Sequence, residues 1–473
     1  MGGDSEAAGR AAVNMASTSE PAQRAAPQDD LFGHPRALTF LFTTEMWERF
    51  SYYGMRALLV LYMVKFLLLP ERAGEVIGLA SLRVMLEALF GPLAVQPFAS
   101  YIYGLYTGLV YFTPIIGGLL ADRVLGQRRM VIIGASLMAV GHFMMAFEPL
   151  FLFALLTLIL GNGAFKPNIS TQVGDLYAPD DRRRDRAYSI FYVGINLGAF
   201  LAPLVCGTLG EDVGWHYGFA AAGVGMLIGL GVYLYAAPML PLDQLHRAQL
   251  AGTPHRYDRE DARAAFALVV LAIPSTFFWA TYEQQGNTIA LWADGFTDRS
   301  ISLLGFAADI PTTWVQSFNP FMIFAFTPAI IALWTWQAKR GSEPSTVIKM
   351  AIGCFLNALS YVVLAVAAYR AGADKASWLW LFAYFVVLTI GELYMSPTAL
   401  SLVSNVAPGR SVSTLMGIWL ATSFVGSFLA GWLGGFWTTM AKGDFFLLIG
   451  AIAGGAGVAI IVCARPLKQI LRE

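Results

Sequence analysis

Long apolar segments recur along this 473-residue chain, each of the length that a helix needs to cross a lipid bilayer. A helix rises about 1.5 Å per residue, so about 20 apolar residues cross a hydrocarbon core of about 30 Å. Two sets of six such segments are predicted: 38–64, 98–121, 130–147, 150–175, 187–209 and 216–237, then 264–291, 318–336, 347–369, 377–405, 411–436 and 443–463. We therefore predict an all-α polytopic membrane protein with twelve transmembrane helices in two six-helix bundles.

The low content of charged residues agrees with a membrane location. Lys, Arg, Asp and Glu make up 13% of the chain and hydrophobic residues 57%, against about 25% and about 45–50% in soluble domains. The 31 basic and 31 acidic side chains balance, so the bulk charge indicates no nucleic-acid partner. Composition thus argues against a disordered chain, a nucleic-acid binder and an ordinary cytosolic enzyme.

Basic residues are distributed unevenly between the two sides of the predicted helices. The two tails and the even-numbered connections hold about three times as many Lys and Arg as the odd-numbered connections, and cytoplasmic segments are the ones enriched in these residues. We expect a multi-pass protein of the cell inner (plasma) membrane with both termini in the cytoplasm.

Polar segments mark the expected domain boundaries. The expected order is a disordered cytoplasmic tail, an N-terminal bundle, a cytoplasmic linker, a C-terminal bundle and a cytoplasmic tail, at residues 1–33, 34–237, 238–263, 264–463 and 464–473. The first tail has no apolar run and therefore does not resemble a signal peptide. The connection 65–97 is also long, and the pattern leaves open whether 79–95 forms an additional surface helix.

Polar side chains form a single stripe along the first predicted helix. The stripe follows the spacing i, i+3, i+4, i+7, i+8, i+11, which is one helix face, and consists of Glu45, Glu48, Arg49, Tyr52, Tyr53 and Arg56. A charge at the centre of a membrane helix costs about 2.5–3.5 kcal/mol, so each needs a partner or a function. A salt-bridged packing face is the alternative interpretation, but we interpret the stripe as the wall of a water-filled cavity.

Further charged residues within the predicted helices differ in the sign of their charge between the two halves of the chain. The first half adds the cation Lys166 and the amide Asn196, whereas the second half adds the carboxylates Glu283 and Glu392. Buried ion pairs and an interhelical hydrogen bond are the structural alternatives for these residues. A cavity with a positive wall facing a negative wall suits a zwitterion of peptide size.

Six segments of the sequence carry a resemblance to a known family. Residues 45–54 read E-M-W-E-R-F-S-Y-Y-G, similar to the ExxERFxYYG signature of the proton-dependent oligopeptide transporter family of the major facilitator superfamily. Segments similar to other stretches of that family follow in the same order, at 117–126, 165–170, 191–198, 278–286 and 391–397. The similarity extends from about residue 34 to residue 436, nearly the whole chain.

The resemblance implies binding roles for the matched positions. Those holding the carboxyl end of a peptide would be Arg49, Tyr53 and Lys166. Those around its amino end would be Asn196, Asn319 and Glu392. Side-chain pockets would be lined by Tyr52, Tyr111, Trp419 and Ser423.

The resemblance also implies coupling and gating roles. Proton-coupling positions would be Glu45, Glu48, Arg49 and Glu283. Arg56 with Glu283 resembles an outer gate, and Lys166 with Glu392 a pair that forms without substrate. The loop motif at Asp122 and Arg123 would latch the cytoplasmic side.

The function implied is that of a proton-coupled symporter, not an enzyme, which imports di- and tripeptides by alternating access of the two bundles. Expected partners are these peptides, protons and the lipid bilayer, with one chain as the working unit and no metal or other cofactor. A transporter of the same fold for another small organic anion or drug-like solute is the alternative. A membrane receptor or integral enzyme is a more distant one, since we find no nucleophile–base pair, metal-ligand cluster or phosphate-binding loop.

Two departures from the family pattern are visible. Many bacterial members carry two additional helices between the sixth and seventh spans, for which 238–263 is too short and too polar. Animal members have a histidine where this chain has Gly104, and His142 lacks an acidic neighbour and is expected to be structural. Proton coupling is therefore expected to depend on carboxylates.

Overall fold

The computed structural model describes residues 30–31, 33–178, 181–241, 259–303, 306–406 and 412–467. The expected N-terminal tail (1–33), linker (238–263) and C-terminal tail (464–473) lie largely outside the described residues. The described residues therefore comprise the two helical regions and the short segments that connect their helices.

Helices dominate the described residues. The α-helices are α1 (Arg36–Tyr62), α2 (Pro70–Ala73), α3 (Leu79–Phe90), α4 (Val95–Leu120), α5 (Gln127–Met144), α6 (Phe151–Asp175), α7 (Arg183–Ala202), α8 (Trp215–Ala236), α9 (Arg259–Tyr282), α10 (Thr288–Gly295), α11 (Phe318–Lys339), α12 (Thr346–Ala371), α13 (Trp378–Val406), α14 (Val412–Gly434) and α15 (Lys442–Leu467).

Tighter or wider helical turns extend several of these helices. Turns of π geometry are Met63–Leu67, Ala121–Leu125, Pro203–Gly207 and Leu209–Val213, and 3₁₀ turns are Glu148–Leu150, Ala237–Met239, Glu283–Gly286, Thr312–Ser317 and Gly435–Thr438. Short strands are β1 (Asp30–Leu31), β2 (His34–Pro35), β3 (Thr297–Asp298), β4 (Ser300–Leu303), β5 (Phe306–Asp309) and β6 (Ala376–Ser377). The pairs β1–β2 and β4–β5 are antiparallel, and β3–β6 is parallel.

Ten helical segments of the described residues are long and apolar enough to cross a membrane. The helices α1 and α5 bring the number to twelve, but their polar residues lower their hydropathy: α1 buries Glu45, Glu48, Arg49 and Arg56, and α5 begins with Gln-Arg-Arg. The prediction of an all-α polytopic protein of twelve transmembrane helices is therefore confirmed.

The helices pack as two groups of six. One group consists of α1, α4, α5, α6, α7 and α8, and the other of α9 with α10, α11, α12, α13, α14 and α15. The most extensive contact between the groups joins α4 to α14. Here a Cβ atom placed on Gly104 would lie 2.7 Å from the Cα of Gly431, so the two helices meet backbone to backbone.

The connection between the first two membrane helices contains a helix, α3. The sequence pattern left open whether 79–95 is helical, and the structure shows a helix over most of that segment. It ends before Gly91, whose φ of 79° lies in the left-handed region that favours glycine. Leu79 and Leu86 are buried, whereas Val84 and Leu89 are exposed. The helix thus packs along one face and presents apolar side chains on another.

Candidate functional site

A cavity of about 250 Å³ lies between the two bundles. Its N-terminal wall comes from α1, α4, α6 and α7, and its C-terminal wall from α9, the turn Glu283–Gly286, α11 and α13. Polar and aromatic groups on its wall are Tyr53, Arg56, Tyr111, Lys166, Tyr192, Asn196, Trp279, Tyr282, Glu283, Gln285, Gln316, Asn319, Glu392 and Ser396. Lys166 and Glu392, which the charge argument puts on opposite walls, thus face the same cavity.

Lys166 supplies the positive charge of the N-terminal wall. It stands in α6 directly before Pro167, on a stretch where Gly161 and Gly163 allow neighbouring helices to approach closely. Its Nζ atom lies 5.4 Å from the centroid of the Tyr111 ring, within the range of a cation–π contact. The ammonium therefore contacts an aromatic ring and forms no salt bridge with an acidic side chain among the described residues.

Glu392 supplies the negative charge of the C-terminal wall. The side-chain amide of Asn319 donates a hydrogen bond to the Glu392 carboxylate at 2.7 Å and another to the Thr389 hydroxyl at 3.0 Å. Glu392 and Lys166 form no salt bridge in this conformation of the described residues. Their direct pairing therefore stays a prediction for a different conformation.

The carboxylates of the first helix lie behind this cavity as a compact ion cluster. Glu45, Glu48 and Arg49 are at most 3% exposed. Arg49 donates from Nη2 to Glu48 at 2.7 Å, and its Nε lies 3.3 Å from Glu45 Oε1. The other Glu45 oxygen, Oε2, is buried without a hydrogen-bond partner among the described residues.

Two carboxylates of this cluster share one guanidinium, and the other cation whose charge acts on both of them is Lys166. An uncompensated charge in a buried site is costly, whereas a neutral carboxylic acid is not. When Lys166 pairs with another group, a proton on one carboxylate therefore neutralises the cluster. Glu45, which has the unpaired oxygen, is the better placed of the two to carry it.

Arg56 and Glu283 join the two bundles at one end of the cavity. They form a buried salt bridge, and the Tyr103 hydroxyl accepts hydrogen bonds from Arg56 Nε at 3.0 Å and Nη2 at 2.8 Å. The structure therefore brings together the two residues expected to pair as a gate. Tyr103 is an addition that the sequence argument did not include.

Further polar contacts link the bundles beyond this pair, at the end of the molecule where α1 finishes. Lys65 forms a salt bridge with Asp294 at 2.8 Å. The Glu211 carboxylate accepts the backbone N–H groups of Thr312 at 2.8 Å and Thr313 at 2.7 Å. Together with Arg56 and Glu283, these contacts close the cavity at this end.

Several predicted site residues do not line the cavity. Arg49, Tyr52, Trp419 and Ser423 are buried outside its wall, and the Arg49 guanidinium lies 5.1 Å from the centroid of the Tyr52 ring. The motif at Asp122 and Arg123 is not in a loop but in the turn Ala121–Leu125 that continues α4, where both of these side chains are exposed. Pocket-lining and latching roles for these residues remain predictions.

Some wall residues were missed although the sequence contained a signal for them. Tyr192 precedes Asn196 by four residues and so shares its helix face, and Tyr282 and Gln285 flank Glu283 within a segment already singled out. Gln316 lies before α11 in a 3₁₀ turn, where no regular periodicity indicates its direction.

Comparison with known proteins gives consistent results over nearly the whole chain. The sequence model of the POT family matches residues 128–249 and 249–447. A peptide transporter named YePEPT from Yersinia enterocolitica subsp. palearctica is 32% identical, with 93% of this chain and 94% of the relative aligned. A di-/tripeptide transporter from Lactococcus lactis subsp. cremoris is 31% identical, with 93% and 97% aligned.

The fold also has a close counterpart among solved structures. The crystal structure of a peptide transporter POT in complex with sulfate superimposes on this chain with a TM-score of 0.81 and 30% sequence identity. The superposition covers 95% of this chain and 98% of the solved one.

Proposed function

Because this chain belongs to the POT family of membrane transporters, we propose that it imports di- and tripeptides together with protons. The family resemblance read from the motifs is confirmed by the family match, and a transporter family leaves no support for a receptor or an enzyme. The single observation that carries the peptide proposal is that Lys166 and Glu392 face one cavity from opposite bundles.

The charges on the two walls suit the two ends of a short peptide. The peptide carboxylate lies beside Lys166, with Tyr53 on the same wall and Arg49 behind that wall in support. The ammonium lies beside Glu392, Asn319 and Asn196. Charge-assisted hydrogen bonds of this kind are about twice as strong as neutral ones. Because both contacts are made to the peptide's ends, side chains are tolerated broadly while chain length is limited.

Proton coupling depends on the carboxylates of α1 and on Glu283. Protonation of Glu45 or Glu48 changes how strongly Arg49 is held, and protonation of Glu283 releases Arg56. Each event changes which salt bridges can exist, and therefore which end of the cavity can close. The buried cluster in which Glu45 and Glu48 share Arg49 supports this step.

Transport proceeds by alternating access of the two bundles around the midplane cavity. With both termini in the cytoplasm, the end closed by Arg56 and Glu283 is the outer one. Asp122 and Arg123 then lie at the cytoplasmic end, where they latch the opposite state. The working unit is a single chain in the inner (plasma) membrane.

The alternative substrate class is another small organic anion or drug-like solute. A zwitterion or anion that satisfies Lys166 alone would fit the same cavity without using Glu392. Peptides are favoured because the cavity carries a charged group for each end of the substrate.

Uptake into proteoliposomes tests the proposal. Labelled Ala-Ala is measured with and without an imposed inward proton gradient, in competition with unlabelled di-, tri- and tetrapeptides. We expect gradient-driven accumulation that di- and tripeptides suppress and tetrapeptides do not. Failure of Ala-Ala to accumulate or compete would favour the other substrate class, and accumulation indifferent to the gradient would rule out proton coupling.

A further inference from the structure

The exposed face of the connecting helix α3 is uncharged along its whole length. Six of its twelve residues are exposed, and their spacing places them on one side of the helix: Ala80, Ser81, Val84, Met85, Ala88 and Leu89. None of the six is charged, and Val84 and Leu89 are 68% and 71% exposed. A surface helix of a water-soluble protein turns charged and polar side chains outward, so α3 has the opposite arrangement.

The two charged residues of α3 are paired with each other against the beginning of α4. Arg83 donates hydrogen bonds from Nη1 to Glu87 at 3.2 Å and to the Leu93 carbonyl at 2.9 Å. The Arg83 guanidinium also lies 4.2 Å from the centroid of the Phe98 ring, and Glu87 accepts the backbone N–H of Leu93 at 3.2 Å. These contacts hold both charges on the protein side of the helix and leave the exposed face apolar.

Contacts with two membrane helices place α3 at the level of the membrane. The Phe90 ring stacks on the Tyr101 ring with the centroids 4.5 Å apart. Tyr101 comes six residues after Val95, the first residue of α4, which is about 9 Å along that helix. Just before α3, Ile77 donates its backbone N–H to the Pro149 carbonyl at 3.1 Å, where the span that contains α6 begins. The helix therefore runs from the end of one span to a point well inside another.

The beginning of α3 also lies beside side chains that lipid covers. A Cβ atom placed on Gly78 would lie 3.6 Å from Cδ1 of Leu152, near the start of α6. Next to it on α6, Phe153 and Leu156 are exposed and do not line the central cavity. Exposed apolar side chains on a membrane span contact acyl chains, so α3 starts at the lipid-covered surface of the protein.

We propose that the exposed face of α3 is inserted into the bilayer, at the boundary between lipid headgroups and acyl chains. Helices that lie in the membrane plane bury their apolar face about 5–10 Å deep, in agreement with the position of Tyr101 along α4. The leaflet is the one at the closed end of the cavity, which is the outer leaflet when both termini are cytoplasmic. A second copy of this chain fits less well, because stable protein interfaces take about 20–30 residues from each partner.

Fluorescence quenching in proteoliposomes tests the proposal. The full-length variants Val84→Cys, Leu89→Cys and Glu75→Cys are each labelled with an NBD dye and reconstituted in phosphatidylethanolamine and phosphatidylglycerol. Glu75 is the matched control, since it is exposed and lies in the turn just before α3. The three native cysteines are buried or partly buried, and labelling of the wild type measures their background. A thermal unfolding curve like that of the wild type shows that each variant is folded.

Iodide dissolved on both sides of the vesicle and spin-labelled lipids report opposite surroundings of the dye. We expect Val84→Cys and Leu89→Cys to emit at shorter wavelength than Glu75→Cys and to lose most of the iodide quenching that Glu75→Cys shows. Both should be quenched by lipid that carries the spin label near the headgroup, and less by lipid that carries it near the chain end.

Two results would overturn the inference. Iodide quenching of Val84→Cys and Leu89→Cys as strong as that of Glu75→Cys would mean that water covers this face. Energy transfer between labelled chains that rises with the ratio of protein to lipid, without quenching by either spin label, would mean that a second copy covers it. None of these measurements needs a substrate, so the inference can fail while the proposed function stands, and the reverse.

Discussion

At the scale of single residues, the charge of Lys166 is expected to contribute most to substrate binding in this cavity. Lys166→Ala is expected to reduce proton-driven dipeptide uptake at least about tenfold, because the peptide carboxylate loses a charge-assisted contact in a site with little water. Initial uptake rates in proteoliposomes measure the effect. Lys339→Ala, the same change in the exposed last turn of α11, is the control and should leave uptake unchanged. Normal uptake by Lys166→Ala would contradict its role.

A role of Glu392 in binding the peptide ammonium can be distinguished from a purely structural role. The test is which substrates are affected when Glu392 is replaced. Glu392→Gln keeps the size of the side chain and removes its charge, so peptides with a free ammonium should bind about tenfold more weakly. N-acetylated peptides carry no ammonium and should be affected much less. Competition curves for both peptide types measure the difference, and an equal loss for both would mean that Glu392 does not recognise the ammonium.

The charged residues were the part of this site that the sequence predicted best. A charge inside a membrane segment is expensive, so Lys166, Glu283 and Glu392 stood out from the sequence without any knowledge of the fold. Neutral wall residues such as Trp279 and Gln316 carry no such cost and give no comparable signal. Trp419 and Ser423 lie outside the cavity wall, so the side-chain pockets that the resemblance implies for them stay a prediction.

At the scale of helices, span positions followed from the length and polarity of the apolar segments. The sequence also predicted α1 and α5 as spans although both contain charged residues. The pattern did not decide whether 79–95 is helical, because a short segment next to a membrane can bury apolar residues in either protein or lipid. The structure answers this with α3.

The contact between α4 and α14 yields a prediction at this scale. A methyl group on Gly104 would lie 2.7 Å from Gly431 Cα and 2.9 Å from the Ser427 carbonyl oxygen, so the two helices must separate. Gly104→Ala is expected to destabilise the closed end by about 1–3 kcal/mol and to slow uptake. Thermal unfolding in detergent and uptake rates measure the two effects.

Gly231→Ala is the matched control for Gly104→Ala. This glycine also lies within a membrane helix, α8, but a Cβ there would meet no atom of a neighbouring element within 4 Å in the described part of the chain. The control should preserve uptake and stability, since alanine is the better helix former. Wild-type behaviour of Gly104→Ala would show that the bundles do not need this close contact.

At the scale of the whole molecule, the sequence predicted two bundles with opposite charges but not which end of the cavity would be closed. Conformation depends on contacts between residues far apart in the chain, such as Arg56 with Glu283 and Glu211 with Thr313. Both ends of a transporter must be able to close, so the sequence contains residues for either state. Only the assembled structure shows which set is engaged.

The coupling of protons to movement is a property of the whole molecule, and it can be separated from binding. Glu48→Gln and Glu45→Gln each remove one titratable group from the cluster around Arg49 without touching the cavity wall. Exchange of internal for external dipeptide needs only the loaded carrier to reorient, whereas accumulation needs protons to move with it. Exchange should therefore stay within about threefold of the wild type, while gradient-driven accumulation falls to the level seen without a gradient.

Glu71→Gln, at an exposed position of α2, is the control for the coupling variants and should preserve both activities. Among the described residues one oxygen of Glu45 has no hydrogen-bond partner, whereas Glu48 accepts a hydrogen bond from Arg49 at 2.7 Å, so the two variants should differ. Glu45→Gln should remain the better folded, since Glu48→Gln weakens the closer of the two contacts with Arg49. If both variants still accumulate dipeptide against a gradient, the coupling carboxylate lies elsewhere, and Glu283 becomes the next residue to replace.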